Sequence, residues 1–447
     1  MKRSRILASA FTCCPDVNPG STGGEDVLGW NLIQQIAKHH DLWVITQAED
    51  REAIEGQIES LGITNINFEF VDLPSWLKPL LRIQGGHQIY NYLWQVRTYF
   101  NAKKLHKQIK FDLFHHVTYA NDWMASYIGA LLPVPYVRGP GGGAQRTPPS
   151  LMNEYTAKGR FWERVRTIGQ WFFRHDPFFI AGQRRASALL LCNKDSTAAI
   201  PSKWTSKVHL YPVSGVPLED LELAKNHISS VDSSLSNPPR SNAPSNTQFK
   251  VISAGSLIRV KGFGLTLKAF KEFNDKRPDS KLTIVGGGPE RPRLEELIHR
   301  FSLEDKVTLT GAMPRLELMK MMAASSVMLF TSLRDGGGTV VIEAMSTGTP
   351  VVCLDSGGPG LHVTEECGIK IEPSSPEATT TALADAIESL YSDPKLLADL
   401  GKAAHAKAAQ MYAWEHLGER LMKIYNPVLD PGMVANSVSS EEQEAGS

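Results

Sequence analysis

No stretch of this sequence approaches the ~18 consecutive apolar residues that a membrane-spanning helix requires, so none is expected. The basic opening, Met1 to Phe11, runs into a strand-like segment instead of the apolar core of a signal peptide. Cysteine is scarce: Cys13, Cys14, Cys192, Cys353 and Cys367 are scattered or adjacent and lack metal-ligand spacing. Three of them lie in apolar, strand-like runs, which fits reduced thiols in a cytoplasmic setting. An excess of one charge is missing too. The 47 lysines and arginines balance 47 aspartates and glutamates, so no global field argues for a nucleic-acid partner.

What remains is a globular chain of 447 residues, too long for one core and suited to two domains of roughly 200 residues each. Short apolar runs alternate with helix-length segments, the pattern of parallel sheets covered on both faces. Strands are expected near 6–10, 42–46, 68–73, 113–117, 135–137 and 188–192, then near 251–254, 282–285, 307–310, 327–331 and 351–354. Between the two sets, 226–248 is polar and rich in proline and serine, and is expected not to pack. The residues after Pro427 read as a disordered tail.

The most informative stretch runs from Asp335 to Glu343. Gly336, Gly337 and Gly338 have no Cβ, so a ligand can approach their amides closely. They follow a strand-like run and precede a helix start at Thr339, which puts unpaired N–H groups and the positive end of a helix dipole at one place. An anion held there would have the carboxylates of Asp335 and Glu343 on either side to accept hydrogen bonds from hydroxyl groups. A nucleoside-diphosphate sugar has that chemistry. A lone glycine triplet is equally a plain turn capped by Asp335, so the surrounding residues decide.

Those residues resemble the retaining, nucleotide-sugar-dependent glycosyltransferases of family 4. The run Asp335 to Val351 is similar to that family's Glu-x7-Glu signature and the E-A-x-x-x-G-x-P-V that completes it, Val251 to Gly262 to its G-R-L-x-x-x-K-G, Ile284 to Glu290 to V-G-x-G-P-E, and Val307 to Gly311 to the strand and turn that follow. The resemblance implies the GT-B fold, two Rossmann-like doubly wound parallel-sheet domains facing across a cleft. It implies an acceptor-side domain at 1–215, a flexible linker at 216–248, a nucleotide-sugar domain at 249–410, a helix at 411–426 crossing back to the first domain, and the tail at 427–447.

By the same resemblance, Glu343 takes the ribose hydroxyls, Asp335 the donor sugar, Lys261 and Arg259 the diphosphate, and the amides around Gly337, Gly338 and Thr339, with Gly287 and Gly288, line the donor site. Gly23 and Gly24 correspond to a loop facing the donor phosphates from the first domain. His116, matched to an F-D-x-x-H pattern, faces the sugar from the opposite wall; by itself a histidine at a strand end is as readily a packed one. Two departures stand out: Asp335 is one methylene shorter than the usual Glu, and Ser256 stands where the family places an arginine. Arg259, three residues on, is the candidate substitute.

The implied reaction is retaining, metal-independent transfer of a sugar from a nucleotide-diphosphate sugar to a hydroxyl of a sugar or lipid-linked acceptor, in polysaccharide or glycolipid assembly. No cofactor and no metal is called for, since cations and helix dipoles carry the leaving-group charge. Aromatics interleaved with arginines across 160–185 suit peripheral contact at the inner face of a membrane, or else a core helix with a basic outer face. Two other readings stay open: an epimerase or phosphorylase on the same architecture, and a non-catalytic module that binds nucleotide sugars.

Overall fold

In the computed structural model, residues 3–15, 24–83, 85–222 and 248–430 are described. Seven strands form the first sheet: β1 (Arg5–Ala10), β2 (Asp41–Thr46), β3 (Ile66–Phe70), β4 (Leu113–Thr118), β5 (Tyr136–Gly141), β6 (Ala186–Leu191) and β7 (Val208–Leu210). Their spatial order is β3-β2-β1-β4-β5-β6-β7, with every pairing parallel. Six more build the second: β8 (Lys250–Ala254), β9 (Lys281–Val285), β10 (Val307–Gly311), β11 (Val327–Phe330), β12 (Val351–Leu354) and β13 (Gly368–Ile371). Here the order is β10-β9-β8-β11-β12-β13, again all parallel.

The burial of each strand explains its sequence. β11 and β12 are buried at every position and read as unbroken apolar runs, as strands covered on both faces do, while β4 is buried throughout although it carries His115 and His116. β10 lies at an edge and alternates buried with open residues. The short β7 and β13 were not expected from the sequence. Both are outermost strands of three or four residues, too brief and too exposed for a periodic signal.

The last helix, Trp414–Leu429, joins the two domains. Ala413 breaks it from the preceding helix Pro394–Tyr412, and at that break Val216 accepts from Trp414 N and donates to Tyr412 O. Beyond the break, Trp414, Leu417, Leu421, Met422 and Tyr425 enter the core of the first domain beside Leu28, Ile33 and Val44. Gly418 lets the helix close on its neighbour Gly24–Ala37, because a Cβ there would lie 2.8 Å from Gln35 Oε1.

Two expectations change at this junction. The unpacked linker cannot begin at 216, since Val216 and Leu221 are buried apolar anchors in the core of the second domain. The remainder of that call, from 223 to 247, lies outside the described residues. The tail cannot begin at 427 either, because the helix continues to Leu429. Residues 431–447 again lie outside the described ones.

Candidate active site

The loops at the carboxyl ends of both sheets meet across the cleft, and the glycine loop after β11 is its centre. Gly262 brings Lys261 there. It ends the short turn Arg259–Lys261 with φ 69°, and a Cβ on it would sit 2.2 Å from Thr331 O. The turn is zipped to the segment after β11 by Leu333 N to Val260 O at 2.9 Å and Thr331 Oγ1 to Gly262 O at 2.9 Å. Lys261 Nζ then donates to Asp335 Oδ2 at 2.5 Å.

Asp335 also turns back on its own loop. Its Oδ1 accepts from Gly337 N at 3.1 Å and Gly338 N at 2.8 Å. Burial alone would raise its pKa, but the Lys261 charge and the two amides outweigh that and hold the carboxyl below its ordinary range. The expectation that these amides stand open for an anion is therefore corrected. With one methylene fewer than Glu, the carboxylate is short enough to satisfy the amides two and three residues on. It places an anion at the start of the helix, ringed by one cation and two N–H groups.

The three glycines have a reason beyond ligand approach. A Cβ on Gly336 would meet Gln145 Nε2 at 2.6 Å, and one on Gly337 would meet Val213 Cγ2 at 2.3 Å, both from the first domain. Only Gly338 needs left-handed backbone, at φ 62°, where it precedes the helix Thr339–Ser346. His362 holds this loop from below. Its ring accepts from Tyr412 OH at Nδ1 (2.9 Å) and donates from Nε2 to Gly337 O (2.8 Å), and burial lowers its pKa to about 4, so it stays neutral.

Glu343 sits one turn into that helix and is buried. Arg315, which opens the helix Arg315–Ala323, donates from Nε to Glu343 Oε1 at 2.8 Å and from Nη1 to Asp220 Oδ2 at 2.6 Å. Burial raises the pKa of Glu343 and Arg315 only partly offsets it, so the net direction is upward. Sequence reasoning missed Arg315 and His362. The one signal for either was position: Arg315 follows Pro314 after β10, and His362 closes the glycine-rich turn after β12.

Other expected site residues are placed differently. Arg259 donates to Glu290 Oε1 at 2.7 Å, and Glu290 also takes Arg293, so Arg259 is committed away from the Lys261–Asp335 pair. Gly287 accepts from Leu257 N at 2.8 Å, and a Cβ on Gly288, at φ 152°, would lie 2.6 Å from Leu257 O. These two glycines thus lock the β9 loop onto the β8 loop. Gly24 opens its helix 3.9 Å, measured from a built Cβ, from Thr339 Oγ1, so two helix N-termini face each other across the cleft. Gly23 lies outside the described residues.

His116 is buried in the sheet. It is 2% exposed within β4, its Nε2 lies 3.2 Å from Gln95 Nε2, and burial beside Arg138 lowers its pKa to about 3. Counted from Phe111, the F-D-x-x-H pattern falls on His115, which is buried as well. His115 donates from Nε2 to Gly139 O at 2.5 Å and accepts at Nδ1 from Tyr425 OH at 2.6 Å, tying the last helix to β4.

The first domain offers other groups to the cleft. Asn193 Nδ2 donates to Gly336 O at 3.1 Å, and Arg334 pairs with Glu163 at 2.5 Å across the domains. Glu25 accepts from the amide of Tyr119, a residue at φ 54°, at 3.0 Å, and burial raises its carboxyl to about 7. Among the described residues, no group of three His, Cys, Asp or Glu side chains converges as metal ligands do.

Comparison with known proteins fits this geometry. Residues 237–407, less than half of the chain, match the family model described as glycosyl transferases group 1. The alpha-D-kanosaminyltransferase of Streptomyces kanamyceticus is 30% identical over 179 residues, 40% of this chain and 45% of that protein. The chain spans less than half the length of the curated relatives it matches first. Along nearly the whole chain, sucrose-phosphate synthase from Thermosynechococcus elongatus superposes with a TM-score of 0.64 at 19% identity, covering 95% of this chain and 99% of that one. The chain has the GT-B fold. HepE from Anabaena, solved in complex with UDP-glucose, is similar over 95% of this chain and 100% of its own, with a TM-score of 0.59 and 18% identity. The GT-B cleft is therefore the space between the Asp335 loop and the helix Gly24–Ala37.

Proposed function

We propose that this protein transfers a glycosyl group from a nucleoside-diphosphate sugar to a hydroxyl of a sugar or lipid-linked acceptor, with retention at the anomeric carbon. The observation that carries the reading is the cluster around Asp335. A cation, two loop amides and a helix N-terminus converge on one carboxylate across from a second helix N-terminus. Such preorganised donors stabilise charge that develops on a leaving diphosphate, at little reorganisation cost.

In this mechanism the bond from the anomeric carbon to the β-phosphate oxygen breaks while a bond to the acceptor oxygen forms on the same face. The acceptor proton passes to the departing diphosphate, so no protein nucleophile is involved. Lys261 compensates the charge left on the diphosphate, Asp335 is displaced from its amides to accept from sugar hydroxyls, and Glu343, steadied by Arg315, accepts from the ribose. The UDP-glucose of HepE and the sugar transfer named for the kanosaminyl enzyme support this class of donor.

The test is a screen of nucleotide sugars for a raised melting temperature, followed by assay of nucleoside diphosphate release with and without hydroxyl acceptors. Release that requires an acceptor, with the anomeric configuration kept in the product, is the expected result. Donor binding with no turnover over many acceptors would replace this reading by a binding module, and acceptor-independent conversion of the donor would replace it by an epimerase.

A further inference from the structure

Although formal charge is balanced over the whole chain, it is not balanced over the surface. Residues 75–110 contain seven lysines and arginines and no aspartate or glutamate. Residues 157–185 contain seven more against Glu163 and Asp176. Both of those acids are committed: Glu163 to Arg166 and Arg334, Asp176 to the amide of Phe178 and to Tyr92 OH.

The helices in these segments also expose apolar side chains at helical spacing. On Ala157–Arg174, Phe161, Val165, Ile168 and Phe172 follow one another along one face with Arg164 and Trp171 beside them; Phe161, Ile168, Trp171 and Phe172 are each 59–69% exposed. The opposite face of the same helix lines the cleft, where Arg166 and Gln170 donate to Gly143 O and Glu163 meets Arg334. On Gly86–Ile109, Ile89, Leu93, Arg97, Phe100 and Lys104 form a similar exposed stripe, with Tyr90, Trp94, Thr98 and Ala102 turned into the core. The two stripes are joined. The tilted rings of Tyr92 and Phe173 meet with centroids 5.6 Å apart, Tyr92 donates to Asp176, and the next helix, Pro177–Arg185, adds Phe178, Ile180 and Arg184 to the exposed surface.

Large exposed aromatics whose neighbouring acids are already paired are poorly suited to open water, and a patch of this kind marks an interaction surface. Its chemistry selects the partner. Aromatic and aliphatic side chains suit the boundary between headgroups and acyl chains, while arginine and lysine on the same faces suit anionic headgroups.

We propose that the face built by Gly86–Ile109, Ala157–Arg174 and Pro177–Arg185 docks on an anionic lipid bilayer. The docked orientation puts the membrane on one side of Ala157–Arg174 and the cleft on the other, about one helix diameter away. The inference rests on exposure and charge alone, and it stands whether or not the transfer reaction does.

The experiment is flotation of the full chain with vesicles of phosphatidylcholine alone or mixed with phosphatidylglycerol, at low and high salt, with sedimentation velocity on the same samples. Binding is expected only to the phosphatidylglycerol vesicles, falling at least tenfold at high salt. Trp171→Ser with Phe172→Ser, and separately Arg164→Glu with Arg184→Glu, should each weaken binding at least tenfold while leaving the urea midpoint unchanged, since these side chains are exposed. Absence of binding by the parent chain, or equal binding by both double variants, would overturn the proposal. So would a parent dimer that Trp171→Ser with Phe172→Ser converts to monomer without any vesicle binding, for then a second copy of the chain covers the face.

Discussion

The loop around Asp335 and the strand carrying His115 and His116 both take polar side chains out of water, and they resolve the cost in opposite ways. At Asp335 the charge is kept and surrounded: Lys261 and two amides pull the carboxyl pKa down against burial. In β4 the charge is given up: the pKa values fall to about 4 at His115 and about 3 at His116, and neutral rings bond to Gly139, Tyr425 and Gln95. A preorganised charge can act on a ligand's charge, whereas a buried neutral ring is a fastener. The difference separates a held charge at the cleft from a neutral scaffold strand.

The largest effect should come from removing the cation. Lys261→Ala is expected to lower the transfer rate at saturating donor by about a hundredfold, a typical loss for one group facing developing charge. It should lower the urea midpoint as well, because Asp335 loses the charge that offsets its burial and keeps only its two amides, so the rate is read per folded molecule. His116→Asn is the counterpart in the scaffold, and is expected to cost stability and not rate per folded molecule. If His116→Asn slowed transfer as much as Lys261→Ala with its urea midpoint intact, the contrast between the two regions would collapse.

Next in size is Asp335→Asn, with roughly tenfold slower transfer expected. The amide oxygen still reaches Gly337 and Gly338, but the charge that competes with a diphosphate for Lys261 is gone. Nucleoside diphosphate should therefore bind up to about tenfold tighter, a change of about 1.4 kcal/mol. Calorimetry that found weaker binding would show that Asp335 does not occupy the diphosphate's partners.

Much of this was readable from sequence. Parallel strands buried on both faces leave long apolar runs, so the two central sheets were legible, while β7 and β13 were too short to show. The positions of Lys261 after β8 and of Asp335 and Glu343 around the loop after β11 were legible because each lies in a local motif with its own glycines, whereas the ion pair between Lys261 and Asp335 was not foreseen. Arg315, His362 and Arg334 were not, since they reach their partners through tertiary contacts between segments that no local pattern connects. His116 failed for the same reason in reverse: a strand-end motif says nothing of Gln95 and Arg138, which arrive from another helix and strand to bury it. The packing of Val216 against Ala413 was likewise hidden behind the polar stretch that follows it.

A smaller loss should follow from cutting the fastener between last helix and first sheet. Tyr425→Phe leaves His115 Nδ1 without its donor in a buried site, which costs about 1–2 kcal/mol. The urea midpoint should fall while the rate per folded molecule holds. An unchanged midpoint would mean that apolar packing of Trp414, Leu417 and Leu421 alone secures the helix.

The smallest expected effect is on the pH profile of stability, where the two solutions act in different pH windows. His115, His116 and His362 have folded pKa values of about 4, 3 and 4, below the ordinary 6.5 of an unfolded histidine. Their unfolded forms take up protons first as pH falls. Stability from their neutral burial is therefore complete above pH ~6.5 and is lost as the pH drops from there toward 4. Glu25, raised to about 7, acts in the opposite sense over an overlapping range, since its folded form takes up the proton first. Asp335 enters later, because a depressed carboxyl loses its contribution only below its ordinary value near 3.8. Replacing His362 with Asn removes one of the three histidines, so urea midpoints measured from pH 7 to 5 should fall less steeply than in the parent. Glu25→Gln should steepen the same fall by removing the opposing group. Parallel profiles for parent and both variants would mean that these groups titrate alike in the folded and unfolded chain, and that burial in this cleft does not separate neutral fasteners from held charges.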